Sequence, residues 1–580
     1  MTFLAIAGPR GPQGIDADAG RVFDTFADLD AAVTYALGQP STVAEGDYLI
    51  TRTGFAYQVL APAAPNADIT TSVNGVKINL LFDQSGLSAT GWALSEDGVT
   101  DNAQRMAELF GKAVPVTFRA GDYLVTSTVA FPVAAPFGGG HISGFGKEVS
   151  AAFTPGRSAG AMTRVLWGGT AGGTLWQMDG QAGLTIKNMA FVGISADGAT
   201  NKAGVGHQYL TSAGFGSGIS RYENVSFSNF AVAVRCGDQI GDANCADLSF
   251  HDASINDNDV FLQVENDQGV NYDFYSSSAN RTDRIAYFKR GGNLRFHGGN
   301  LAACGETNWC FEFESLGDNT YGNSIRDLRI EQNTKRLVKA VGGHVLVEDL
   351  TEAQSNQAVT MFDFQGTHAV VRGGRLVTHD AANPTFSLRN QPGGYAGSLL
   401  LDGVQFDVDT FAIAEWLNLA NIGAQSHVIM RGCTYGANGL PLPDFSTNPA
   451  FGPVPLSGFT SGATGVTLSI FGLTRNFGTV CRLRNNEVQC FEIDIVGRTA
   501  TNAVAFQGRR LAVTKNVAGA ASLENSQIVG ADFNPLAVSV LPALSVTAFD
   551  ALEVTCTGTA GQDITWSASI RETASVPTGA

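Results

Sequence analysis

One short phrase returns along the middle of this chain, from about Leu184 to Tyr435. It is a strand-like alternation of apolar and polar residues. It reads Phe261-Leu262-Gln263-Val264-Glu265, Tyr287-Phe288-Lys289, Phe311-Glu312-Phe313-Glu314 and Val338-Lys339-Ala340, then Phe362-Asp363-Phe364, Phe386-Ser387-Leu388 and Leu417-Asn418-Leu419. Copies lie roughly 23 to 31 residues apart, a repeat-architecture period. A second phrase runs out of step with the first: Asn188-Met189-Ala190-Phe191, Asn224-Val225-Ser226-Phe227, Asp247-Leu248-Ser249-Phe250, Asp327-Leu328-Arg329-Ile330, Gly403-Val404-Gln405-Phe406 and Gly432-Cys433-Thr434-Tyr435. Two phrases per period mean at least two short strands per turn. The Asn, Asp and Gly residues beside them tolerate the left-handed backbone that a corner needs. Most intervals hold no helical pattern, so the crossover helices of an ordinary parallel sheet are missing. Such strands stack as coils of a solenoid, each pairing with the coil above and below. An all-β parallel β-helix is expected.

Composition agrees and narrows the partners. The chain has 580 residues, 69 of them glycine, and only 15% are charged, which fits a turn-dense β protein rather than a disordered one. A net charge of −17 argues against duplex nucleic acid and anionic membranes as partners. No apolar run reaches ~18 residues, so no membrane insertion is expected. No secretory signal pattern opens the chain.

Residues 8–16 read as three Gly-X-Y triplets, from Gly8-Pro9-Arg10 to Gly14-Ile15-Asp16. That spacing suits the axis of a three-chain helix, and equally a flexible leader. A small module follows over 21–92. It has a helix-like stretch Phe23 to Val33 capped by Asp24, then strands at Tyr48-Leu49-Ile50-Thr51 and Phe55 to Leu60. In Asp97-Gly98-Val99-Thr100-Asp101-Asn102-Ala103, Asp101 or Thr100 would cap a helix with Ala103, Met106, Ala107 and Phe110 on one face. A helix there would cover the open end of the solenoid core. The β-helix is expected over 93–440. Pro441, Pro443, Pro449, Pro453 and Pro455 mark a linker, and longer strands over 451–580 read as a β-sandwich, jelly-roll-like.

The stretch Asp97 to Leu109 (DGVTDNAQRMAEL), followed by Val116 to Val129 (VTFRAGDYLVTSTV), resembles the start of the right-handed β-helix of bacteriophage tailspikes and pectate-lyase-like proteins. The likeness is specific over 97–129 and a matter of repeat pattern to about 435. The preceding module, with FDTFADLDAAV and YLITRTGFAYQVL, is similar to adaptor regions of such spikes. The resemblance implies a homotrimer on the virion exterior, made in the host cytoplasm. Its N-terminal region, with residues 1–20 as anchor, would attach to a tail, baseplate or capsid protein. It would recognise a host surface polysaccharide, and many members also cleave one as a glycoside hydrolase or lyase. A cellular polysaccharide lyase is a third reading, disfavoured by the missing secretion signal and the collagen-like leader.

Glycoside hydrolysis needs two carboxylates roughly 5 to 9.5 Å apart. Outward residues of stacked coils recur about every 4.8 Å, within that range. The first phrase sets Gln263, Lys289, Glu312, Lys339, Asp363, Ser387 and Asn418 in one outward column, with Glu265 and Glu314 two residues on. One reading makes Glu312, Glu314, Asp363 and Glu265 an acid/base group. The other makes the column a solvated ladder of alternating charge. Trp309, Trp416, Tyr287 and Tyr275 are candidate sugar-stacking rings. His297, His344, His368 and His379 are candidate bases or surface residues. Asp252, Asp257, Asp259 and Asp267 read as a Ca²⁺-binding patch or as corner residues. Cys481 and Cys490 face each other if Asn485-Asn486 turns a hairpin, bonded or as two thiols. Gly138-Gly139-Gly140 follows no strand-to-helix pattern, so no nucleotide, metal or other cofactor is expected.

Overall fold

The computed structural model describes residues 22–577 apart from short internal stretches. Those of five residues or more are 82–86, 132–139, 148–161, 195–201, 239–244, 315–321, 354–358, 391–395, 419–425, 447–453, 471–486, 536–541 and 547–551. The Gly-X-Y triplets and the Asn485-Asn486 turn with Cys481 lie outside the described residues. The chain divides into two compact units, 1–268 and 269–580.

The first unit opens with a five-stranded sheet, in the order Val22–Phe23, Tyr48–Thr51, Ala56–Val59, Lys77–Leu80, Ile69–Thr70. Its helix, Phe26–Ala32, is capped by Thr25 rather than Asp24. Thr25 and Asp28 form a reciprocal capping box, which Asp24, one residue too early, cannot make. The helix Ala103–Phe110 likewise starts one residue later than expected, with Asn102 at the cap position. Asp101 still accepts from the Ala103 amide at 3.1 Å. The buried face is Ala103, Met106, Leu109 and Phe110, so Leu109 takes the place expected of Ala107. The Phe110 ring stacks on Phe131 at 4.5 Å and meets the Trp176 edge at 5.1 Å. The helix therefore covers the apolar interior of the coils that follow.

Those coils run strand above parallel strand. On one face Thr174–Asp179, Val205–Leu210, Val232–Cys236 and Val260–Val264 pair in turn. Trp176, His207, Val234 and Leu262 make one inward column, all fully buried. On another face Asn188, Asn224 and Asp252 fall at one corner, with φ of 55°, 50° and 53°. The Asn224 amide donates to the Asn188 side-chain carbonyl at 2.8 Å. Asp247 belongs to a different corner, beside Ile219. The second phrase was therefore misaligned at this coil, and Asp252 is the true equivalent of Asn224. Asp257, at φ 54°, is also a corner residue. Among the described residues no three His, Cys, Asp or Glu side chains gather to hold a metal.

The second unit repeats the plan. Arg284–Phe288, Phe311–Phe313, Val338–Val341, Phe362–Gln365, Phe386–Arg389 and Leu417–Asn418 stack in parallel. Two inward columns result: Phe311, Val338, Phe362 and Phe386 in one, Phe288, Phe313, Phe364 and Leu388 in the other. The opposing corner runs through Ser276, Gly298, Asp327, Asp349, Gly373, Gly403 and Gly432, every one at positive φ. L-residues with larger side chains pay about 1–2 kcal/mol at such a position. That cost explains why Gly, Asp and Ser fill the column. Beyond the coils, two antiparallel sheets share one apolar cluster. Phe491, Ile493, Ile495 and Trp566 come from the larger sheet, Leu552 and Val554 from the smaller.

The interior of the first unit holds a histidine away from water. His207 is wholly buried, stacked on Trp176 at 4.8 Å. Its Nδ1 lies 2.9 Å from the Tyr222 hydroxyl, itself 2.7 Å from that of Tyr209. Burial pushes its pKa from 6.5 down to about 3. Between those values the unfolded chain binds a proton that the folded chain refuses, so this contribution to stability is complete above pH ~6.5 and declines as pH falls. The thermal midpoint is expected to drop between pH 7 and pH 4, and to drop less steeply in His207→Phe. Equal slopes would mean that other groups set the acid sensitivity.

Candidate functional site

The outward column of the second unit is Tyr287, Glu312, Lys339, Asp363, Ser387 and Asn418. Tyr287 stands where Lys289 was expected. A two-residue slip keeps the inward and outward sense of a strand, so the alternating pattern alone did not reveal it. Lys289 follows the strand, with its ammonium 5.7 Å from the Tyr287 ring centre.

Each carboxylate in this column is held by cations. Glu312 is 3% exposed, with Lys339 Nζ 2.7 Å from one oxygen and Arg284 Nε 2.7 Å from the other. Asp363 receives Arg389 in a fork at 2.5 and 3.1 Å, and the Gln365 amide at 3.1 Å. The Arg284 guanidinium also lies over the Tyr287 ring, 4.1 Å from its centre, and donates to Asn308 Oδ1 at 2.9 Å. Asp283 accepts the Thr307 and Asn308 amides at 2.8 and 3.0 Å, tying down the loop that carries half-buried Trp309. The Tyr287 hydroxyl donates to Glu314 at 2.8 Å. Burial, and then the Glu314 charge, push this phenol above its ordinary range, so it stays a donor.

Glu312, on the strand Phe311–Phe313, and Glu314, just beyond it, are two residues apart, about 6.6 Å between Cα atoms by the rise of an extended chain. Lys339 reaches both, at 2.7 and 3.8 Å. Glu314 is the more open, at 40% exposure. A general acid is made by an apolar or like-charged neighbourhood that keeps its proton on. Glu312 and Asp363 have cations instead, the arrangement of the alternating ladder.

The remaining expected residues lie elsewhere. Glu265 belongs to the first unit, where Arg235 donates to it at 2.5 Å and Gln263 to its other oxygen. Trp416 is fully buried, packed on Phe406 at 4.5 Å and stacked with His379 at 5.3 Å. Its ring is core and offers no face to a ligand. Tyr275, 37% exposed, is on the other sheet, stacked on His297 at 5.3 Å. Arg284 and Arg389 were missed. Arg284 opens its strand and Arg389 reaches back from the next coil, so neither shares the register position on which the column was read.

No protein-family model matches this chain, and no curated protein matches it. Among solved structures, the tailspike protein of Acinetobacter baumannii phage AM24 aligns over 96% of this chain and 94% of its own length, at 10% identity and a TM-score of 0.43. Tailspike gp49 of A. baumannii bacteriophage Fri1, a capsular polysaccharide depolymerase, aligns over 95% and 97%, at 11% identity and 0.40. Tailspike protein 2 of bacteriophage CBA120, in its enzymatically active domain, aligns over 94% and 88%, at 10% identity and 0.43.

Glu312→Gln is expected to cost about 1–3 kcal/mol, because it strips the shared anion from Lys339 and Arg284. Glu314→Gln, at an open position, is expected to cost under about 0.5 kcal/mol. Thermal unfolding of the two variants checks the contrast. The parallel β-helix itself is read from this chain's own strand register, and the solved proteins that align along nearly its whole length include phage tailspikes.

Proposed function

We propose that this chain is a bacteriophage spike or fibre that recognises a host surface polysaccharide. The observation that carries the reading is the outward face of the second unit. Tyr287, Glu312, Lys339 and Asp363 stand one per coil along it, and the open polar groups on this scaffold are half-buried Lys339 and Glu314, which accepts from the Tyr287 hydroxyl. Hydrogen-bonding groups fixed by their own ion pairs present a preorganised pattern to an extended polar polymer. Trp309 and Tyr275 are the rings left available to stack on sugar. In this reading three copies assemble on the virion exterior, joined to a tail, baseplate or capsid protein through the N-terminal region. Synthesis is in the host cytoplasm.

A second reading is a depolymerase, favoured by the two neighbouring carboxylates Glu312 and Glu314, which share Lys339. The cations that hold Glu312 and Asp363 weigh towards binding without cleavage.

The test is an array of purified bacterial capsular polysaccharides and lipopolysaccharides, with the bound polymer sized afterwards. Retention of a polymer at full length is expected, weakened about tenfold, or ~1.4 kcal/mol, by Tyr287→Phe with Glu314→Gln. New reducing ends would mark a hydrolase, and new ultraviolet absorbance a lyase. Binding untouched by the double substitution would move the site off this face.

A further inference from the structure

On the other sheet of the second unit an outward column carries histidine. The strands His344–Glu348, His368–Arg372, Ser398–Asp402 and His427–Arg431 pair in parallel, which aligns His344, His368, Ser398 and His427. The first two are exposed, with ring centres 5.2 Å apart and planes at 29°. His368 Nδ1 lies 2.9 Å from Ser398 Oγ. An imidazole tied at Nδ1 by a hydroxyl presents Nε2 outward, and its orientation is set from outside the ligand shell. Two positions along, Leu346 and Val370 are half-buried. The nearest charges further on, Glu348 and Arg372, are paired with each other at 3.5 Å.

We propose that His344 and His368 form a site for a borderline divalent transition cation, bridging two adjacent coils. Imidazole selects copper, nickel and zinc over calcium and magnesium, and the general affinity order puts Cu(II) first. Two imidazoles supply two positions and water supplies the rest. His427 lies two coils from His368, about 9.6 Å by strand spacing, beyond the reach of the same ion.

The test titrates the full chain with Cu(II) alone at pH 7.5, followed by electron paramagnetic resonance and calorimetry. One Cu(II) coordinated by two imidazole nitrogens is expected. His344→Asn and His368→Asn should each remove the two-nitrogen signal and weaken binding at least tenfold, while His427→Asn leaves both unchanged. Thermal unfolding of the variants without metal confirms that they are folded. A wild-type chain without the two-nitrogen signal overturns the proposal. So does a signal that survives both substitutions, or one that is lost equally in His427→Asn.

Discussion

Everything in the coils depends on parallel backbone pairing between one turn and the next. A strand of three to five residues cannot satisfy its own amides and carbonyls, and a buried unpaired group costs about 1–3 kcal/mol. In a solenoid each strand passes that demand to the coil above and below. The arrangement closes only if every coil turns its corners at the same place. In the second unit the corner column from Ser276 to Gly432 does this, with the chain at positive φ in each successive turn. The corner residues therefore set the register, and the register sets everything that faces in or out.

Facing in, the register stacks like on like. Phe362 and Phe386 lie 4.7 Å apart with nearly parallel rings, as do Phe288 and Phe313 at 5.3 Å. Facing out, stacking like on like would place equal charges about 4.8 Å apart, which is unfavourable. The chain answers with alternation. Arg326, Glu348, Arg372, Asp402 and Arg431 form one ladder, each contact between 3.1 and 3.5 Å. Glu312, Lys339 and Asp363 form the other, the face assigned here to glycan. The same rule that stabilises the solenoid thus makes its surface a regular row of polar groups.

The coil architecture was legible in the sequence because its signals are periodic. Alternation gave the strands, and Asn, Asp and Gly gave the corners. The exact register was not legible, for the same reason. At Tyr287 a slip of two residues left every side chain on its expected face, and at Asp247 a second corner also uses an acidic residue. The first cap moved by one residue, to Thr25, because adjacent side chains are chemically able to cap and only the backbone decides; at the second helix Asn102 takes the cap position while the Asp101 carboxylate still accepts the Ala103 amide. Trp416 was misplaced because nothing local distinguishes a buried ring from a platform. Arg284 and Arg389 escaped notice because they reach the column from neighbouring positions.

The most direct measurement is of coil register in solution. Thr351 and Arg375 are exposed neighbours in adjacent coils, and Gln405 is the next residue in that column. Adjacent coils bring Cα atoms to about 4.8 Å, within disulfide range, whereas two coils give about 9.6 Å, outside it. Thr351→Cys with Arg375→Cys is therefore expected to close an intramolecular disulfide on mild oxidation, seen by peptide mass mapping. Thr351→Cys with Gln405→Cys is expected to stay open. A bond in the second pair and none in the first would contradict the stacked register from which the rest is argued.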